Sequence, residues 1–101
     1  MSEPLAVVFQ RRATREIEAV DEWWRANRPA AADLFLTELE RMLAAVALMP
    51  NLGSPAASAR LAGVRRVLLR RTRYYVFYRV REETLAVLAV WHSSRGTGPR
   101  V

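Results

Sequence analysis

Three apolar runs near the end of the chain, 64–70, 73–80 and 84–92, are separated only by "RT" around 71–72 and "REE" at 81–83. A backbone that must reverse within two or three residues cannot make the crossover that a parallel pair requires. These runs are therefore constrained to lie side by side as an antiparallel meander. The rest of the chain has to be arranged around that unit.

Upstream, "PLAVVFQ" (4–10) is a short valine-rich run that reads as a first strand. The period then changes. Ala13, Ile17, Val20 and Trp24 recur at helical steps between Arg12 and Asn27, while Arg15, Glu18, Glu22 and Arg25 fall on the opposite side. "ANRPAA" breaks this helix, and Pro29 suits the first turn of a second one that runs to about Met49. Its buried face is expected to carry Phe35, Leu39, Met42, Leu43 and Val46. So short a connection predicts a helical hairpin. Residues 50–63 hold two prolines and two glycines and read as a loop, and the tail "SSRGTGPRV" is too rich in glycine and proline for regular structure. The expected order is β-α-α-β-β-β, an α+β domain spanning residues 1–101 with the helical hairpin on one face of an antiparallel sheet.

The run 84–92 does not alternate between apolar and polar residues. Leu85, Val87, Ala89 and Trp91 are expected on one face, and Ala86, Leu88 and Val90 on the other. A strand apolar on both sides either sits centrally under two layers or offers its second face to a partner.

Charge divides as sharply as hydropathy. Residues 1–50 contain six arginines and eight acids, whereas residues 51–101 contain ten arginines and only Glu82 and Glu83. The net charge of +6 therefore resides in the second half, and every basic residue is arginine. Such a surface calls for an anionic partner, either nucleic acid or an acidic protein segment. Arg66 and Arg70 are expected on one side of their strand and Arg65 and Arg71 on the other, so they cannot all serve one site. Arg73 and Arg95 come near the first pair if the hairpin closes. Guanidinium forks suit bidentate carboxylates.

Other classes fall away. With no cysteine and one histidine the chain has neither disulfides nor the ligands of a zinc site. It has no glycine-rich phosphate loop and no apolar run near the roughly 20 residues of a membrane span. "MSEPLAVVFQRR" lacks the pattern of an export signal, so a soluble cytoplasmic protein without metal or cofactor is expected.

Taken in order, "PLAVVF", "AAADLFLTELERMLAAVALMPNLGSP", "VRRVLLRRTRYYVFYRV" and "LAVLAVWHSSRGTGP" resemble the RelE/ParE family of bacterial type II toxins over residues 4–99. The resemblance implies a growth-inhibiting toxin neutralised by a cognate antitoxin with an acidic, partly helical tail. Such antitoxins are often ribbon-helix-helix proteins of the ParD kind, so that DNA would be touched only through the antitoxin. Arg66, Arg70, Arg73, Leu88 and Val90 are then the expected antitoxin contacts.

The family has a branch that cleaves messenger RNA on the ribosome and a branch that poisons DNA gyrase without chemistry of its own. The cleaving branch carries cations on the strand matching 64–70, another on the tyrosine-rich strand, one after the last strand, and often a tyrosine or histidine in the tail. Here Arg66 and Arg95 match, but Leu68 and Tyr75 stand at the other two cationic positions, and "GTGPRV" has no tail acid or base. The pattern implies the ParE-like branch, with His92 and Arg95 as the surface presented to gyrase. His92 and Arg95 are also the candidates for catalysis in the alternative reading of an mRNA endoribonuclease, since an imidazole is the usual proton carrier near neutral pH. A free-standing basic nucleic-acid-binding module is the other alternative, with Tyr74, Tyr75 and Tyr78 either stacking on bases or simply packing.

Overall fold

The computed structural model describes residues 3–57, 60–96, 98–99 and 101. Among them the order is β1 (Ala6–Phe9), α1 (Arg11–Asn27), α2 (Leu34–Leu48), β2 (Ser54–Pro55), β3 (Arg65–Leu69), β4 (Tyr74–Arg81) and β5 (Thr84–His92). Single 3₁₀ turns at Pro29–Ala31 and Pro50–Leu52 flank α2. Pro29 thus opens a separate turn and α2 starts only at Leu34. Lacking an N–H, proline suits the first position of either kind of helix.

The sheet order is β1-β5-β4-β3-β2. The meander is antiparallel throughout, but β1 runs parallel to β5, with Val7 opposite Leu85 and Phe9 opposite Val87. The sheet is therefore mixed, where an antiparallel one was expected. Two helices separate β1 from the meander, so no tight turn dictates its direction. The segment read as pure loop adds the two-residue β2, which pairs Ser54 with Arg66 at the far edge.

Both helical stripes lie where the periodicity puts them. Ala13, Phe35, Leu39, Leu43 and Val46 are buried against Val67, Leu69, Val76, Tyr78, Leu85 and Val87 on one face of the sheet, with Ile17, Val20 and Trp24 packed beside them. The opposite face holds a smaller cluster of Val64, Phe77, Leu88 and Ala89, partly roofed by Ala56, Leu61 and Val101. So β5 lies between β1 and β4 with a layer over each face, which accounts for its two-sided apolar sequence.

Alternation along β5 breaks at one point. Phe77 pairs with Ala89 and Tyr78 with Val87, so Leu88 is the extra residue of a β-bulge. A one-residue slip moves every later side chain to the other face. Leu85 and Val87 face the helices as expected, but beyond the bulge Val90 joins that core while Ala89 and Trp91 pack on the opposite side. No helix among the described residues is long and apolar enough to cross a membrane.

Candidate functional site

The bulge composes the surface that the candidate residues occupy. Tyr75 and Trp91 are paired across β4 and β5. The guanidinium of Arg66 lies over the Tyr75 ring, 4.2 Å from its centroid, and that of Arg95 over the Trp91 ring at 4.1 Å. Arg66, Tyr75, Trp91 and Arg95 thus form a row across three strands, cation, ring, ring, cation. Each stack contributes about 0.5–1 kcal/mol at an exposed position. It also holds a flexible cation in place while leaving its N–H groups for an anion.

Arg95 is delivered by a tight turn after β5. Its amide donates to the His92 carbonyl at 3.0 Å, and the Ser93 amide donates to the Arg73 carbonyl at 2.8 Å. This second bond ties the post-β5 turn to the β3–β4 turn, so the backbones of Arg73 and Arg95 are brought to the same end of the sheet.

His92 goes elsewhere. Its ring stands edge-on to Tyr74, centroids 4.9 Å apart, and Tyr74 in turn meets Phe35 of α2 at 5.2 Å. The imidazole therefore lies on the helix side of the sheet. It lines a shallow depression of about 250 Å³ with Glu16, Val20, Trp23 and Arg95. The Ser94 amide donates to Nδ1 at 3.2 Å and the Ser94 Oγ lies 2.7 Å from the same nitrogen. In the neutral ring this leaves the proton on Nε2. A hydroxyl at 2.7 Å from an imidazole has the spacing of a nucleophile and its base. The carboxylate sharing the depression is committed elsewhere, however. Glu16 accepts from the Val90 amide at 2.9 Å and from Arg12 Nε at 3.2 Å.

The other predicted contacts separate. Arg70 and Arg73 are exposed in the four-residue β3–β4 turn, outside the strand, so two-residue alternation does not extend from Arg66 to Arg70. Arg65 bonds the Gly53 carbonyl at 2.6 Å and belongs to the scaffold. Leu88 and Val90 were expected to meet a partner from the sheet. Instead they are 1% and 4% exposed, Leu88 in the second-face cluster and Val90 under the helices, because the bulge turns one from the other and each face is covered.

Sequence reasoning missed Glu38. From α2 its carboxylate accepts from the Arg71 amide at 2.8 Å, the Thr72 amide at 3.0 Å and the Thr72 hydroxyl at 2.7 Å, clamping the β3–β4 turn. Burial by itself would raise this carboxyl. The bonds from Arg71 and Thr72 together with the Arg71 charge outweigh it and hold the group below its ordinary range. Nothing local marks Glu38, since its partners lie more than thirty residues away. Among the described residues no three His, Cys, Asp or Glu side chains converge as a metal site would require.

Residues 7–96 match the family model described as the ParE toxin of type II toxin-antitoxin system, parDE. No curated protein matches the chain in sequence. Among solved structures, the chromosomal ParDE toxin-antitoxin system from P. aeruginosa superposes with a TM-score of 0.72 at 18% identity, covering 90% of this chain and 98% of that one. The toxin-antitoxin complex RelBE2 from Mycobacterium tuberculosis gives 0.59 at 25% identity, with 89% and 99% covered. The isolated E. coli RelE toxin gives 0.54 at 20% identity, with 91% and 87% covered. The P. aeruginosa and E. coli likenesses concern the fold, two helices on a mixed sheet.

Proposed function

The chain belongs to the ParE toxin family of type II toxin-antitoxin systems, and from that premise we propose that it arrests growth by poisoning DNA gyrase and is neutralised by an acidic cognate antitoxin. The observation that carries the gyrase reading is that the Arg66 guanidinium and the His92 imidazole lie on opposite faces of the sheet, Arg66 over Tyr75 and His92 against Tyr74. Cleaving RNA through its 2′-hydroxyl needs a proton acceptor and cations around the same phosphate. Here the Arg66 and Arg95 guanidiniums lie over Tyr75 and Trp91, while the imidazole packs on Tyr74 with its Nδ1 already bonded to Ser94. Arg95 and the turn Ser93–Gly96 form the exposed end through which a large protein target is met.

The antitoxin half of the reading is supported by charge. Arg66, Arg70, Arg73 and Arg95 are exposed, and no ion pair involves them among the described residues. An acidic chain would find several forks preset for carboxylates. The RelE-like alternative keeps one favourable observation, the Arg66–Tyr75 stack, which places a phenol beside a cation on the sheet face.

The deciding experiment is gyrase-catalysed supercoiling of relaxed plasmid with the antitoxin-free chain titrated in. Inhibition with accumulation of cleaved DNA, reversed by antitoxin, is expected. No effect at saturating protein that still binds antitoxin, together with cleavage of ribosome-bound messenger RNA, would overturn the gyrase reading.

A further inference from the structure

The two edges of the sheet are not alike. At one of them β2 is two residues long and ends in Pro55, which has no N–H to offer. A short edge strand containing proline is a poor template for a further strand. At the other edge β1 reads Ala-Val-Val-Phe, without proline, glycine or charge, and Val8 and Phe9 are 47% and 45% exposed. Among the described residues, no backbone bond outside the sheet uses Val7, Val8 or Phe9. This edge carries none of the usual blocks to strand addition.

The polar groups of the edge follow from the phase of the strand. The Gln10 amide donates to the Val87 carbonyl of β5 at 3.0 Å, whereas the Leu5 amide donates to the Ala47 carbonyl of α2 at 2.9 Å. Along a strand paired in parallel, the N–H and C=O of one residue point to the same side, and successive residues alternate. Val7 and Phe9 share the phase of Leu5, so their two N–H and two C=O groups point away from β5 to the open edge. Their side chains stand beside Leu85 and Val87 on the helix face, and that of Val8 beside Ala86 on the other.

We propose that β1 pairs antiparallel with β1 of a second copy of this chain, about a two-fold axis at Val8. Val7 then stands opposite Phe9 of the second copy, and each such pair exchanges both bonds, so all four outward groups find partners. An axis at Val7 would instead set Phe9 against Leu5, whose amide is already given to Ala47. Charge agrees with the antiparallel order. Glu3 precedes β1 and Arg11 follows it, neither in an ion pair among the described residues, so the acidic start of one strand approaches the basic end of the other. The net charge of +6 does not oppose this seam, because the sheet order places the arginine-bearing β3 three strands away from β1. The two β3 strands would lie seven strand spacings apart, about 34 Å, against a screening length of about 8 Å. Both Arg66–Arg95 rows would share one face of a continuous sheet, and the pairing does not depend on which target the toxin meets.

The test is sedimentation equilibrium of the purified, antitoxin-free chain, with Val8→Lys, Val8→Cys and Ala6→Cys beside it. Both side chains are exposed, and each variant is checked for unchanged thermal unfolding. The wild type is expected to form a reversible dimer, and Val8→Lys to raise its Kd by about tenfold or more, since two lysines would face each other across the axis. The chain has no cysteine, so a disulfide in a single-cysteine variant must join two copies. Val8→Cys is expected to cross-link on mild oxidation, because opposed residues of a non-hydrogen-bonded pair have Cα atoms about 4.5 Å apart. Ala6→Cys would lie about 14 Å from its counterpart and is expected to remain a thiol. A wild type that sediments as a monomer at every concentration would overturn the pairing. So would a Val8→Lys dimer as tight as wild type, or equal cross-linking of the two cysteines. A monomer whose affinity for its co-expressed acidic antitoxin falls in Val8→Lys would assign the edge to a strand of the antitoxin and overturn the second copy as its occupant.

Discussion

The hydroxyl of Tyr78 lies 2.9 Å from the Gly53 amide nitrogen, in the space that the Cβ of any other residue at position 53 would enter. Tyr78 is fully buried in the main core, and its hydroxyl donates onward to the Pro50 carbonyl at 2.7 Å. One phenol thereby joins the middle of β4 to the turn that follows α2. Burial raises this phenol above the ordinary range, opposed by the Gly53 amide and the Arg65 charge.

Gly53→Ala is expected to destabilise the fold. The added Cβ would meet the Tyr78 hydroxyl at 2.5 Å and the Arg66 carbonyl at 2.8 Å, and the second is backbone that cannot swing aside. Overpacking of this kind costs about 1–3 kcal/mol, read as a lower urea midpoint at unchanged slope. Tyr78→Phe tests the same junction from the other side. It leaves the Gly53 amide and Pro50 carbonyl unbonded, at a cost of about 1–3 kcal/mol.

Glu38→Gln should weaken the chain by about 1–3 kcal/mol, because one oxygen that accepts from Arg71 or Thr72 becomes an amide donor. The pH dependence gives a sharper check. The folded-state pKa of Glu38 lies below its ordinary 4.5, so between the two values the unfolded chain binds more protons and stability rises with pH. Its contribution is complete above the ordinary value and disappears as pH falls through the lowered one. In that acid window the wild type is expected to lose more stability than Glu38→Gln, measured by urea unfolding at a series of pH values. Identical slopes would assign the clamp no charge-dependent role.

The β4–β5 turn is built from Glu82 and Glu83 at φ of 51° and 61°. Two positive φ values in a two-residue hairpin are the mark of a type I′ turn, which Asn-Gly occupies without steric cost. Left-handed backbone costs an ordinary L-residue about 1–2 kcal/mol. The double substitution Glu82→Asn with Glu83→Gly is expected to stabilise the chain by about 1 kcal/mol, the gain in turn geometry being partly offset by the greater freedom of glycine when unfolded. A higher thermal midpoint would establish it; an unchanged or lower one would mean that the glutamates contribute something beyond the turn.

Arg95→Ala removes a guanidinium whose contact is the Trp91 ring. Global stability is expected to change by no more than about 0.5–1 kcal/mol, the size of an exposed cation–π contact. Inhibition of gyrase supercoiling is expected to fall by about tenfold or more, equivalent to about 1.4 kcal/mol of binding. Retained inhibition would move the target surface off this turn.

Much of the architecture follows from short-range pattern. The stripe Phe35, Leu39, Leu43, Val46 is buried as its periodicity requires, and the stripe Ala13, Ile17, Val20, Trp24 faces the same core, Ala13 buried and the other three partly so. The brevity of the links forces the antiparallel meander, and the order of four segments is enough to indicate the toxin family. Each of these depends on neighbours within about a turn or a hairpin, so the linear chain contains the whole signal.

Tertiary structure alone decided the composition of the site. Alternation predicts Ala89 and Trp91 beside Leu85, yet one bulged residue, Leu88, reverses the strand beyond it. That reversal sends Trp91 to the Arg66–Arg95 row and His92 to the helices. A bulge is a mismatch in length between two paired strands, and neither strand records it alone. The parallel seating of β1 and the reach of Glu38 across to Thr72 are of the same kind, set by which surfaces meet once the layers close.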